Sequence, residues 1–296
     1  MAEGSELRVL APASAPLVPS AVLDWDRLSH IATTESAAYR AATPFPHTVL
    51  DGVFSDALLD QAVAELPGAS ANWTGYDTAN ERKQVCSDTA AFGPTAETIA
   101  HALNSSRFTR FLETLTGIRG LIPDPHMHAA GYMKVPPGGF LGLHYDFATQ
   151  RELMLDRRIN VLLYLNRDWQ PDWGGQLELH SNDPLTASRH EEIKVEPLFN
   201  RLLIFNTPQA LHGHRAPVAC PKGRARLCLS WYYYTAPPVP DWVARSTSVK
   251  FKGRFEPVRA MTNAINLVTP PILVHLAKAA ARALRARRSR RTPITS

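Results

Sequence analysis

Cysteine is scarce in this chain. Cys86, Cys220 and Cys228 are spread over 296 residues without a C-x-x-C spacing. That argues against a disulfide framework or a cysteine-bound zinc and for a reducing, cytoplasmic setting. Long apolar runs are also missing. The best candidate, Ala264 to Ala277, is interrupted by Pro270-Pro271 and falls short of the ~18 residues that read as a spanning helix. The first residues set Glu3 and Glu6 against Arg8 and are broken by Pro12, Pro16 and Pro19, a poor match to a secretory leader. There is no internal repeat, no Walker loop and no G-x-G-x-x-G, so the common nucleotide cradles find no support. Acidic residues are absent from Thr262 to Ser296, where seven cations stand, so the rest of the chain carries −2 of the formal +5. The basic character belongs to the tail and gives the body no reason to bind nucleic acid.

What is present fits a β-rich globular body. Hydrophobic residues make up 45% of the chain, enough for a sizeable core. The 24 prolines favour turns and strand edges over a helical bundle. Residues 1–43 read as an Ala/Pro/Ser-rich arm followed by a helical entry segment from Val22 to Ala41. A strand is expected at 44–51. Helices follow from a Ser55 cap to about Leu66, from Pro94 to Leu103, and from an Asn104 or Ser105 cap to Gly117. After Gly117 short apolar runs alternate with Gly/Pro turns: 127–135, 140–147, 159–165, 176–180, 193–195, 201–205, 211–214 and 227–234. Helices first and strands after predict a β-barrel or sandwich backed by helices, not a parallel α/β sheet.

One stretch carries the chemistry. In Leu143-His144-Tyr145-Asp146-Phe147 the His and the carboxylate are two apart, so on a strand they share a face. A second His from Leu211-His212-Gly213-His214-Arg215 would complete a facial 2-His-1-carboxylate set, which suits non-haem Fe(II). Alone, each of these residues reads better as an ordinary polar strand residue. The ordered set, with a later Arg226 on a strand-like run, reverses that weighting. His126-Met127-His128 is another H-x-H, but without a carboxylate it reads as a strand approaching the site.

The order of motifs resembles the prolyl-4-hydroxylase-like branch of the Fe(II)/2-oxoglutarate dioxygenases. The matching segments are His144-Tyr145-Asp146, Arg157 to Trp169, Gly174-Gly175-Gln176-Leu177-Glu178-Leu179, Phe205-Asn206-Thr207, His212-Gly213-His214 and Arg226 to Tyr234. The resemblance covers about 120–236 and implies a double-stranded β-helix (jelly-roll) core within a catalytic domain over 44–240. It implies His144, Asp146 and His212 as metal ligands, and Arg226 with Tyr164 on the distal carboxylate of 2-oxoglutarate. The expected cofactors are Fe(II), 2-oxoglutarate and O2, with ascorbate as a supporting reductant. The reaction implied is hydroxylation of a C–H bond with release of succinate and CO2. Retention of Asp146 argues against halogenation.

The chain departs from the pattern in having two histidines at the third-ligand motif, with Pro217-Val218 one residue later than usual. His212 is favoured as ligand, and His214 is left as a neighbour of the metal shell or a substrate contact. Arg226, Cys228 and Ser230 share a strand face, so Ser230 is a further cosubstrate contact to test. Asn160 shares the face of Tyr164 and is another. Tyr132 and Lys134 lie on the strand before the site as pocket candidates. Trp169 and Trp173 are expected to pack around the Gly174-Gly175 turn.

Residues 241–296 form an extension. Ile272, Leu273, Leu276, Ala280 and Leu284 recur at helical spacing ahead of an arginine cluster. Residues 272–291 therefore read equally as a basic amphipathic helix resting on anionic lipid or an acidic partner, or as a helix docked on the body. The leading substrate expectation is a small molecule of the sugar, glycan or amino-acid type, ahead of a peptidyl proline. A non-catalytic jelly-roll adaptor is the alternative from another class.

Overall fold

The computed structural model describes residues 22–68, 71–124, 126–181, 192–208, 210–237 and 250–251. The proline-rich arm before residue 22 and the basic segment 272–291 lie outside the described residues. Helices α1 (Trp25–Thr34), α2 (Ser36–Ala41), α3 (Asp56–Ala64), α4 (Pro94–Leu103) and α5 (Ser106–Thr116) surround one face of an antiparallel β assembly. Among the described residues no helix is long and apolar enough to cross a membrane.

Local chemistry accounts for the helix bounds. Ser105 caps α5 by accepting from the Phe108 N–H at 3.2 Å, and Gly117 closes it in the left-handed region at φ 77°. Pro94 opens α4 at a position that needs no N–H. The single entry helix expected at 22–41 is two helices, broken at Glu35.

The strands that matter most are β1 (His47–Asp51), β2 (Thr74–Asp77), β3 (Glu81–Cys86), β4 (Ile122–Pro123), β5 (Gly131–Val135) and β6 (Phe140–Tyr145). Later come β7 (Thr149–Gln150), β8 (Leu155–Tyr164), β9 (Leu177–His180), β10 (Glu192–Val195), β11 (Arg201–Asn206), β12 (Leu211–His214) and β13 (Arg226–Thr235). The hydrogen-bonded path runs β1-β11-β8-β13-β5-β3-β6-β12-β9-β10. Strand β3 pairs with both β5 and β6, so it joins a larger sheet to a smaller one. This is the expected mainly-β jelly-roll with helices packed against it.

Side-chain alternation explains why the two layers hold together. On β8, Ile159, Val161 and Leu163 face the helices with Phe108, Phe111 and Leu112, while Leu162 and Tyr164 face the second layer with Leu177, Leu179 and Phe205. Both faces are covered, so β8 reads as a continuous apolar run rather than an alternating one. The same parity on β13 sends Leu227, Leu229 and Trp231 toward the helices and Arg226 and Cys228 toward the interior.

Candidate iron and cosubstrate site

A cavity of about 370 Å³ opens between the two sheets. His144 from β6 and His212 from β12 stand directly opposite one another in the strand register. Their rings lie 4.4 Å apart between centroids. Each turns its Nδ1 to a carbonyl two residues earlier, His144 to Gly142 at 2.9 Å and His212 to Ala210 at 3.0 Å. That fixes the rings and leaves both Nε2 atoms facing inward. Asp146, one residue beyond the end of β6, brings Oδ1 to 3.6 Å from His144 Nε2 and Oδ2 to 3.7 Å from His212 Nε2. One ligand atom from each of the three lies within 4.8 Å of the others. This donor set of two imidazoles and a carboxylate, gathered in a buried pocket, fits an Fe(II) with open coordination positions.

The environment holds the site in its metal-ready charge state. Burial opposes ionisation of Asp146, yet the Arg157 guanidinium, followed by His212 and His144, keeps its carboxyl well below the usual range. Burial, reinforced by His144, pushes the His212 imidazole down to about 4. A neutral imidazole and an ionised carboxylate are the forms that ligate metal.

Arg157 is the residue that the sequence reading passed over. Its Nη2 lies 3.0 Å from Asp146 Oδ2. Nε and Nη2 donate to Asn160 Oδ1 at 3.0 and 2.8 Å. The guanidinium carbon sits 3.4 Å from the Tyr232 ring centroid and 4.5 Å from that of Phe147. Asn160 completes the bracket, donating from Nδ2 to Asp146 Oδ2 at 2.7 Å and accepting at Oδ1 from Thr207 at 3.1 Å. The signal was hidden by a bulge. The β8–β13 register shifts so that Tyr233 opposes Ile159 and Tyr234 opposes Arg157. The extra residue, Arg158, brings Arg157 and Asn160 to the same cavity although they are three apart.

At the other end of the cavity Arg226 is almost fully buried. Nε donates to the Gly175 carbonyl at 2.7 Å, and Nη2 donates to the Tyr164 hydroxyl at 3.4 Å. Burial pushes the Tyr164 phenol up to about 12 against the opposing pull of Arg226, so it remains protonated. Gly175 has φ +75°, and a Cβ there would come within 2.9 Å of Arg226 Cδ. The Gly-Gly turn is thus the floor on which the arginine lies. Among the described residues Arg226 has no carboxylate partner. A buried unpaired guanidinium is costly, and a bound carboxylate would match its planar fork. The site therefore fits 2-oxoglutarate as well as iron.

The other expected site residues divide. His214 lines the cavity and is 1% exposed. Asn160 lines it too, but its amide is engaged with Asp146, Arg157 and Thr207. Ser230 does not line the cavity, because its hydroxyl is turned to the Gly131 carbonyl at 3.3 Å. Tyr132 and Lys134 point away from it, correcting their assignment as pocket residues. Tyr132 donates to the Ala62 carbonyl at 3.0 Å, and the Lys134 ammonium lies 4.2 Å from the Trp73 ring centroid. Between them, Met133 is the β5 residue that faces the cavity. The strand expected at His126–His128 is a loop. The Asp124 carboxylate holds it by accepting from the His126 and His128 N–H groups at 2.9 and 3.0 Å, and His128 reaches the cavity mouth. Trp169 and Trp173 pack edge to face, and Trp169 Nε1 donates to the Gly174 carbonyl at 3.0 Å. A second group, Glu178, His180 and Glu192, could geometrically hold a cation. Arg215 already neutralises it, at 2.6 Å from Glu178 and 3.6 Å from Glu192.

Residues 127–234 match the family model described as the 2OG-Fe(II) oxygenase superfamily. The matched segment contains the His-Asp-His cluster, Tyr164 and Arg226. Over that segment the chain is similar to the 2OG-Fe(II) oxygenase superfamily. Solved structures share the fold at low identity. A prolyl 4-hydroxylase from Phytophthora capsici is 18% identical, with TM-score 0.52 over 77% of this chain and 69% of that one. HygX from Streptomyces hygroscopicus, solved with nickel and 2-oxoglutarate bound, is 15% identical, with TM-score 0.50 over 74% and 97%. SnoN, an alpha-ketoglutarate-dependent epimerase from nogalamycin biosynthesis, is 13% identical, with TM-score 0.50 over 78% and 97%.

Proposed function

We propose that this oxygenase hydroxylates an unactivated C–H of a small polar molecule, with His144, Asp146 and His212 holding the iron and Arg226 with Tyr164 holding 2-oxoglutarate. The observation that carries the reading is the buried, carboxylate-free Arg226 in the same cavity as the His-Asp-His cluster. Bound iron with 2-oxoglutarate and O2 supplies the oxidising power, as the keto acid loses CO2 to give succinate and the substrate gains a hydroxyl. The protein's own residues do the rest. His144 and His212 present fixed rings, Arg157 and Asn160 aim Asp146, and Arg226 orients the cosubstrate. Phe147 and Tyr232 supply apolar walls that limit water.

Small-molecule specificity is favoured over a peptidyl proline by the size and covering of the cavity. At about 370 Å³, it lies at the lower end of the range of roughly 300–1,000 Å³ typical of small-ligand pockets. The β2–β3 hairpin contributes Thr74, Tyr76, Glu81 and Lys83 to its wall, with His128 opposite. Such a lining suits hydroxyl- or amine-bearing compounds of the sugar, glycan or amino-acid type. Biosynthetic intermediates of that type are the class to screen first. Ascorbate is proposed as the reductant that restores iron after turnover without substrate. A cytoplasmic setting is supported by three unpaired, buried cysteines. The basic segment 272–291 is proposed as a peripheral contact for anionic lipid or an acidic partner. Removing 285–296 should then lower liposome binding at low salt, and unchanged binding would remove the membrane role.

The central test is anaerobic. Adding Fe(II) and 2-oxoglutarate to metal-free protein should give a visible charge-transfer band that is lost in Asp146→Ala and weakened in Arg226→Ala. A well-folded, iron-loaded protein without that band would end the proposal.

A further inference from the structure

His214 is a fully buried histidine of the cavity that the iron site leaves unexplained. Its side chain is 1% exposed, and among the described residues neither Nδ1 nor Nε2 has a hydrogen-bond partner. Leaving both nitrogens of a buried imidazole unsatisfied costs the desolvation of each polar group with nothing in return. Buried polar groups are normally paired, so this pair of orphans points to a ligand that the pocket receives.

Strand geometry says which end of the cavity His214 serves. It lies two residues beyond His212 on β12, so it shares that face, about 6–7 Å further along the strand. The two histidines also differ in their partners on β6, His212 opposing His144 and His214 opposing Leu141. On its other side β12 runs antiparallel to β9, with Gly213 opposite Glu178. Continuing that register takes His214 level with Leu177 and toward the Gly174-Gly175 turn. Gly175 is the residue whose carbonyl accepts the Arg226 Nε–H. His214 therefore turns away from the metal and toward the guanidinium. Leu177, Cys228, Arg226 and Lys83 line the cavity with it.

We infer that His214 is a third binding residue for the distal carboxylate of 2-oxoglutarate, donating a ring N–H to it alongside the Arg226 guanidinium and the Tyr164 hydroxyl. The inference rests on the proposed oxygenase reading and adds a residue to it. Imidazole offers at least one N–H in either protonation state, so the role does not depend on its titration. Arg226 spends Nε on Gly175 and Nη2 on Tyr164, and a carboxylate has two oxygens and about four acceptor sites. A second donor from the facing sheet would fix the acid from both sides and restrict the length of keto acid accepted.

The test is calorimetric titration of 2-oxoglutarate into full-length protein loaded with Fe(II) under anaerobic conditions. The variants are His214→Leu and His214→Gln, with thermal melts and Fe(II) affinity measured for each. A hydrogen bond to a charged group is worth enough that His214→Leu should weaken 2-oxoglutarate binding by about tenfold or more. His214→Gln, which keeps an N–H donor, should recover part of the loss, and Fe(II) affinity should be unchanged in both. Binding of 2-oxobutyrate, a keto acid without the distal carboxylate, should be the same in all three proteins. Unaltered 2-oxoglutarate affinity in well-folded His214→Leu would overturn the inference. So would an equal loss for 2-oxobutyrate, which would place the effect at the metal end. Failure of the parent protein itself to bind 2-oxoglutarate would instead overturn the oxygenase reading on which the inference stands.

Discussion

Arg157 and Asp146 form a buried ion pair at 3.0 Å, and the Asp146 oxygen that receives it also accepts from Asn160 at 2.7 Å. One carboxylate oxygen is thereby held by the protein from two directions. The other, Oδ1, faces His144. Arg157 is in turn fixed by Asn160 and stacked over Tyr232. The arrangement aims a carboxylate that would otherwise swing on two free torsions.

Removing that bracket should loosen the metal rather than the fold. Outer partners of metal ligands typically contribute about 10–100-fold to metal affinity. Arg157→Met should lower Fe(II) affinity within that range, while Arg157→Lys, which keeps the charge but loses the fork, should fall between. The Met variant leaves Asp146 buried beside fewer cations, so some destabilisation of the metal-free protein should accompany the loss. Competition with a chelator measures the first effect and urea melts the second. Unchanged metal affinity in Arg157→Met would show that Asn160 alone aims the carboxylate.

The pH dependence of the metal-free protein follows from His212. Its folded pKa is pushed down to about 4, whereas a free histidine titrates near 6.5. Above pH ~6.5 both folded and unfolded chains hold it neutral. As pH falls from there toward 4 the unfolded chain binds a proton that the folded chain refuses, so stability declines through that window. Between pH 7 and pH 5 the loss from this group should be about 2 kcal/mol. His212→Gln should flatten that slope in urea melts of metal-free protein. An equal slope in parent and variant would assign the acid sensitivity elsewhere.

Much of this was legible in the primary structure, for identifiable reasons. Pro94 and Leu103 bound α4 as expected, because the stop and start chemistry is local. The His144/Asp146 pair needed only an alternating strand. The double-stranded β-helix came from the ordered motifs, since no composition rule distinguishes it from other barrels. What failed depended on facts that strands do not advertise. Tyr132 and Lys134 share one face of β5 and Met133 the other, and with both faces covered nothing in the sequence says which turns inward. Arg157 reaches Asp146 only because of a register shift against β13. His128 reaches the cavity from a loop with Met127 at φ 49° and Ala129 at φ 58°, a left-handed backbone that the H-x-H spacing did not disclose.

Gly175 offers a test of the cosubstrate floor that leaves Arg226 in place. Its φ of +75° is a conformation in which side chains are strained, and an added Cβ would sit 2.9 Å from Arg226 Cδ. Gly175→Ala should therefore cost about 1–3 kcal/mol of stability and displace the guanidinium. Affinity for 2-oxoglutarate should fall by about tenfold or more, as for loss of a charge-assisted hydrogen bond, with Fe(II) affinity retained. Calorimetry against the parent protein reads both. A fall in metal affinity of the same size would mean that the turn supports the whole cavity rather than its cosubstrate end.

Gly213 poses the opposite case, at the metal end. It stands between the two histidines of β12, where a Cβ would come 2.7 Å from both the Leu141 and the Gly142 carbonyl oxygens. Those are backbone atoms of β6, so neither can rotate aside, and Gly213→Ala must push β12 from β6. The contact between the two strands is what sets His212 opposite His144, and their rings are only 4.4 Å apart. Moving β12 outward spreads the two Nε2 atoms, and metal geometry tolerates departures of only about 0.2 Å. The variant should lose Fe(II) affinity more steeply than it loses stability. It should lose 2-oxoglutarate binding less steeply, because only His214 of the proposed cosubstrate contacts moves with β12, whereas Arg226 and Tyr164 lie on other strands. Measured in the order metal, then cosubstrate at saturating metal, the expected outcome is a large first effect and a small second one. Equal effects would show that β12 positions both ends of the cavity, as the proposed role of His214 allows. No effect on metal binding would mean that Asp146 and His144 follow β12 when it moves.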